Sequence, residues 1–263
     1  MRPYILITND DGVYSPGLHA MVEAAKNYGE LLIAAPVDQQ TSMGRAFPRS
    51  PDQGIIDPVM IPIAGQDTLC YAVHGSPGYA VAHAVLELAE RKPDLCLSGI
   101  NYGENLGTTV TCSGTLGAAF EANTHGIPAI AVSLEAPLSI QHYRNYSAYR
   151  WDTAQEITEM VLRQVLEAGF PSQTGILNIN VPLAATSGKD YRITTLSRQN
   201  YFNYLRPNRE EFTTSFELKC ERSVDLSTLE QDSDIYATYI DNLISITPMN
   251  LDMTAKEALD WHI

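Results

Sequence analysis

"YILITNDDGVYSPG" occupies residues 4–17. Tyr4–Thr8 is a short apolar run rich in β-formers, the pattern of a strand buried on both faces. Two adjacent carboxylates, Asp10 and Asp11, follow at once. Gly12 comes next and makes a sharp turn easy. Ser15 and Pro16 stand where an N-cap and a first-turn proline belong. The spacing predicts a helix that stops near Gly29, with Leu18, Met21, Val22 and Ala25 on one face. Strand, acidic turn and helix together read as the opening of an α/β unit.

The same alternation continues outward. "LLIAAP" (31–36) reads as a second buried strand, followed by a long polar loop from Val37 to about Pro58. "LCYAVHG" (69–75) is a strand, and "SPGYAVAHAVLELAERKPD" (76–94) a helix opened by Ser76 and Pro77. "DLCLSG" (94–99) is a strand that runs into a Gly/Asn/Ser/Thr-rich loop reaching Ser113. "GTLGAAFEANTHG" (114–126) predicts a helix and "IPAIAVSL" (127–134) a strand. After Glu135 come an amphipathic helix at 151–170 and a strand at 175–182. "YRITTL" (191–196) and "TTSFELKCE" (213–221) look like β-hairpin material, and residues 243–263 predict a strand and a terminal helix. The expected architecture is a three-layer, Rossmann-like, mostly parallel sheet with a smaller C-terminal extension rich in β-hairpins. Residues 1–135 would form the core with the site. Residues 136–263 would supply the rest of the core, the extension and the terminal helix.

The chain of 263 residues carries 31 acidic and 17 basic side chains, a net charge of -14. That balance disfavours nucleic acid and anionic membranes, which need cationic surface. No run of about eighteen apolar residues predicts a membrane span. Nor does the N-terminus have a signal-peptide pattern, since the acidic pair follows a short apolar run. The four cysteines are far apart, without C-x-x-C spacing. Three read as buried free thiols, and a cytoplasmic, reducing location is expected.

In parallel α/β sheets, ligands sit outside the carboxyl ends of strands. Three loops fit that edge: "TNDDG" (8–12), "VDQQTSMGR" (37–45) and "SGINYGENLGTTVTCSGT" (98–115). Past a strand end, Asp10 and Asp11 can face one point, and a hard divalent cation such as Mg²⁺ or Mn²⁺ would turn their repulsion into shared attraction. The competing reading is a helix cap beside a solvated aspartate. In the third loop, Ser113, Gly114 and Thr115 open a helix, where free N–H groups and the helix dipole favour a phosphate. Ser113 as an ordinary N-cap is the alternative. His19, His83 and His125 fall in helical segments and read as structural, and His74 ends a strand without an evident partner. Arg45, Arg49 and Arg198 would touch an anion or stay solvated. Without a G-x-S-x-G elbow, a serine hydrolase is not expected.

At these residues the chain resembles the SurE family, the survival-protein nucleotidases. Residues 5–21 resemble that family's opening block, "PDLCLSGINYGENLGTTVTCSGTLGAAFEA" (93–122) its longest block, and "DSDIYATYIDNLISITPMNLDMT" (232–254) its C-terminal signature. The resemblance implies a divalent-metal-dependent phosphomonoesterase acting on nucleoside monophosphates, of 5′-nucleotidase or acid-phosphatase type. Activity on 3′-nucleotides or short polyphosphate is a further expectation. It also implies a homodimer or homotetramer that exchanges the C-terminal extension. Asp10, Asp11 and Asn101 match metal-binding positions, and Asn105, Ser113 and Thr115 match positions lining the phosphate site. The fourth ligand is a serine in the family. Counting from Pro36 or back from Gly44 puts Thr41 there, with Ser42 as the alternative. "VHGSPGYAV" (73–81) departs from the family, which carries Thr and Ala-Asp around that proline. The attacking group is activated water or an aspartate; Asn9-Asp10-Asp11 lacks the D-x-D spacing of haloacid-dehalogenase phosphatases and favours water. The rival expectation is a non-catalytic nucleotide-binding module on the same fold.

Overall fold

The computed structural model describes residues 2–138, 141 and 149–254. The expected terminal helix falls partly on residues 255–263, which lie outside them. Strand β1 (Tyr4–Thr8) is buried throughout, as its continuous apolar run requires. Its side chains alternate between two cores. Ile5 and Ile7 join Leu18 and Met21 of helix α1 (Pro16–Ala25) and Ile157 and Leu162 of α4 (Asp152–Ala168). Tyr4 and Leu6 join Val81 of α2 (Pro77–His83) and Leu116 and Ala118 of α3 (Gly114–Thr124). The sheet is therefore covered on both faces, giving three layers. Each fully buried aliphatic side chain contributes about 1.5–3 kcal/mol.

The remaining strands are β2 (Glu30–Pro36), β3 (Ile56–Ile63), β4 (Gln66–Val73), β5 (Leu95–Tyr102), β6 (Ala129–Leu134) and β7 (Ile176–Val181). They are followed by β8 (Tyr191–Ile193), β9 (Phe202–Tyr204), β10 (Cys220–Arg222) and β11 (Ile244–Met249). Among the described residues, nine strands form one sheet in the order β3-β4-β2-β1-β5-β6-β7-β11-β8. From β4 to β7 every pairing is parallel; β3 at one edge and β11 against β7 are antiparallel. The chain moves from β1 towards β2 and β4, then returns to place β5 on the other side of β1. That reversal puts a crevice outside the carboxyl ends of β1 and β5.

Three details depart from expectation. The long polar loop ends at Gly54–Ile55, and Ile56–Ile63 pairs antiparallel with β4. Pro58 and Pro62 hide this strand in the sequence, but an edge strand tolerates prolines that a central one does not. "YRITTL" contributes Tyr191–Ile193 to the main sheet, and the hairpin partner of Cys220–Arg222 is Phe202–Tyr204. Helix α1 ends at Ala25, before Gly29; a Cβ at Gly29 would lie 2.5 Å from the Pro3 carbonyl oxygen, so glycine there serves the chain's return to the sheet. The β9–β10 hairpin is held to the body by a third cluster of Leu106, Tyr201, Leu229 and Ile235. Among the described residues no helix is long and apolar enough to cross a membrane.

Candidate active site

The turn after β1 is set by Asn9. Its amide nitrogen donates to the Gly12 carbonyl (3.1 Å), and its amide oxygen accepts from the Gly12 N–H (3.1 Å). Gly12 takes φ +98°, a value that favours glycine. Loop 37–55 is stapled beside it. The Gln40 N–H donates to the Asp10 carbonyl (2.7 Å) and the Val13 N–H to that of Pro36 (2.8 Å). The same loop reaches α3, where a Cβ at Gly117 would sit 2.0 Å from the Gly44 carbonyl oxygen. Only glycine permits that approach, and the Gly44 N–H donates to the Cys112 carbonyl (3.0 Å). The three loops expected at the sheet edge are thus joined backbone to backbone.

Asp10 and Asp11 are 4% and 1% exposed. The Thr115 hydroxyl donates to Asp10 Oδ1 at 2.6 Å. Asp11 Oδ1 accepts from Gln39 Nε2 (3.0 Å) and Oδ2 from the Tyr102 N–H (3.2 Å). Burial raises both carboxyls above the usual range, and the Asp10 charge raises Asp11 further. Neither side chain is a solvated aspartate.

Asn101 lies where β5 shifts register against β6 between Gly99 and Asn101. Its amide nitrogen donates to the Gly103 carbonyl (2.7 Å), which leaves the amide oxygen as the end that could face a cation. Asn105 is tied to the sheet: its Nδ2 donates to Ser133 Oγ (2.8 Å), its N–H to Asn180 Oδ1 (2.7 Å), and its carbonyl accepts from Asn178 (2.9 Å). Ser113 does cap α3, accepting from the Leu116 N–H (3.2 Å). Capping uses an oxygen lone pair and leaves the hydroxyl hydrogen available, so the two readings of Ser113 are compatible.

Asp10, Thr41, Ser42, Asn101, Asn105 and Ser113 line one cavity of about 340 Å³. Asp11 and Thr115 adjoin Asp10, by sequence and by the Thr115–Asp10 bond, but are not among the residues lining the cavity. Thr41 is half-buried; Ser42 is exposed at φ +63°. Two carboxylates, a hydroxyl and an amide oxygen are hard oxygen donors, the set Mg²⁺ or Mn²⁺ takes. Among the described residues no group of three or more His, Cys, Asp or Glu side chains is placed to hold a metal, so the candidate set draws on Thr41 and Asn101 beside the two carboxylates.

Other residues lie elsewhere. His74 does have partners: its ring nitrogens stand 3.2 Å from Asp52 and 3.0 Å from Asp57. Arg45 meets Glu121 at 2.6 Å and pins loop 37–55 to α3; Arg49 and Arg198 are exposed. Only Cys70 and Cys96 are buried thiols, whereas Cys112 is exposed and Cys220 half-buried, both on the cavity wall. Gln39 and Tyr102 had no separate signal as partners of Asp11. Glu104 and Arg222 form a further unanticipated pair, 2.6 Å apart, with Arg222 also 3.0 Å from Glu135.

Residues 5–203 match the family model described as Survival protein SurE. The chain is 38% identical over 257 residues to the 5′-nucleotidase SurE of Methanocella arvoryzae, covering 96% of this chain and 94% of that protein. It is 36% identical over 252 residues to the 5′-nucleotidase SurE of Thermococcus gammatolerans, with 96% and 91% covered. The crystal structure of the SurE protein from Aquifex aeolicus superposes with a TM-score of 0.74 at 28% identity, covering 96% of this chain and 95% of that one.

Proposed function

The chain belongs to the survival protein SurE family, and from that premise we infer a phosphoric monoester hydrolase of the 5′-nucleotidase type, acting on nucleoside monophosphates. The observation that carries the site assignment is the convergence of Asp10, Asn101 and the start of α3 on one cavity at the crevice between β1 and β5.

Asp10, Asp11, Thr41 and Asn101 would hold one divalent ion, Mg²⁺ or Mn²⁺. Such an ion, when bound, supplies positive charge for the phosphoryl oxygens and lowers the pKa of water. This chain's residues do the rest. The Thr115 hydroxyl fixes the Asp10 carboxylate by its 2.6 Å bond. The N–H groups at the start of α3 and the Ser113 hydroxyl receive phosphoryl oxygens, with the helix dipole favouring negative charge there. The second amide hydrogen of Asn105, whose first goes to Ser133, donates to another oxygen as charge grows. Water supplies the oxygen that replaces the nucleoside, and the products are nucleoside and inorganic phosphate. The protein is read as a cytoplasmic homodimer or homotetramer, with residues 1–135 carrying the site and 136–263 the remainder of the core, the C-terminal hairpin and oligomerisation extension, and the terminal helix. Light scattering of the purified protein checks the assembly, and a monomer at micromolar concentration would refute it.

The experiment is phosphate release from AMP with Mn²⁺ or Mg²⁺. Release that stops with a chelator, and in Asp10→Asn, is expected. Tight AMP binding without release under any divalent ion would leave a non-catalytic nucleotide-binding module instead.

A further inference from the structure

The cavity that holds Asp10 has a second wall of different character. It is built by the β9–β10 hairpin and the chain just before β10, with Phe202, Tyr204 and Leu218 lining it beside Asn203 and Glu217. Tyr204 is 67% exposed and Leu218 49%. Side chains alternate along a strand, so Phe202 and Tyr204 share one face of β9. Their partners across the hairpin are Arg222 and Cys220. Arg222 shows which way that face looks, because it reaches inward to Glu104 and Glu135. Phe202, Tyr204 and Cys220 of that face line the same cavity as Asp10 and Ser113.

We propose that this face is the nucleobase platform of the site, with Tyr204 and Leu218 determining selectivity for phosphomonoesters that carry a base. The proposal rests on the phosphomonoesterase reading above. The polar end of the cavity supplies oxygen donors and N–H groups suited to a phosphate. At the other end, Phe202, Tyr204 and Leu218 stand among Asn200, Asn203 and Glu217, and that wall brings no cationic side chain to such a group. A flat π-system does gain there: base–aromatic stacking survives in water and tolerates any base. Aromatic side chains left exposed around a polar pocket are those a ligand covers. The Glu104–Arg222–Glu135 contacts fix the height of the platform over the phosphate end, and Arg222 lies 5.6 Å over the Tyr201 ring, beside the platform.

The test compares AMP with ribose 5-phosphate, the same phosphoester without its base. In wild type, kcat/KM for AMP exceeds that for ribose 5-phosphate. In Tyr204→Ala that ratio falls by about five- to a hundredfold, the effect residing in KM for AMP. Tyr204→Phe keeps the ratio, and Leu218→Ala lowers it in the same direction. A ratio within twofold of wild type in both Tyr204→Ala and Leu218→Ala overturns the proposal. If neither ester is hydrolysed, the phosphomonoesterase reading has failed separately. Calorimetric binding of AMP and ribose 5-phosphate then decides the platform: selective weakening of AMP by Tyr204→Ala supports it, and equal affinities in variant and wild type overturn it.

Discussion

Asp10 and Asp11 are two acids that folding takes out of water side by side, and their protonation follows from that. Both folded pKa values lie above the unfolded value near 4. As pH rises past that value the unfolded chain releases its protons first, so the folded state loses stability towards neutral pH. In chelator, the melting temperature is expected to fall between pH 5 and 8, and to fall less in Asp11→Asn. Added Mn²⁺ should oppose the fall, because binding favours the ionised pair. Asp11→Asn should also cost more than about a hundredfold in divalent-dependent phosphate release, since losing outer partners of a ligand alone costs up to that. Thr41→Ala is expected to weaken Mn²⁺ binding by about tenfold while Ser42→Ala leaves it within twofold; titration calorimetry distinguishes them.

At the level of elements, α3 is seated against the turn after β1 with no room for a side chain at Gly114. A Cβ there would meet Asp10 Cβ at 2.6 Å and its Oδ2 at 2.7 Å. Gly114→Ala should move the helix start or the carboxylate by a fraction of an ångström, costing about a hundredfold in kcat with a near-native circular dichroism spectrum. The elements that bear on this site were legible because their signals are local. Tyr4–Thr8 is a continuous apolar run, Ser15-Pro16 and Ser113-Gly114 mark helix starts, and Asp10 stands at a strand end. What was not legible depends on distant partners. Nothing near His74 announces Asp52 and Asp57, and nothing near Arg222 announces Glu104, 118 residues away. The strand at Ile56–Ile63 was hidden because its prolines are acceptable only at a sheet edge, a place in the fold rather than a property of the run. "YRITTL" showed strand character, but pairing with Ile244–Met249 is decided by packing of the whole sheet.

For the molecule as a whole, a buried charge joins the hairpin to the core beside the apolar cluster around Tyr201. The Glu104 side chain is fully buried and Arg222 is its counter-ion. Arg222→Ala leaves that carboxylate unpaired and should lower stability by about 3 kcal/mol, read by urea unfolding. Glu104→Gln added to it should restore part of the loss, since a neutral amide is less costly to bury. The bond between Thr115 and Asp10 joins residues 105 apart in the chain. Contacts of such long separation form late, after the loops between them have closed. The stabilisation from an ion at the proposed site would then be absent from the folding transition state. Divalent ions should lengthen the half-life of the native protein in denaturant while leaving its refolding rate nearly unchanged. If the proposed site binds an ion, the shelf life of a preparation kept warm would follow unfolding kinetics and depend on the metal content of the buffer.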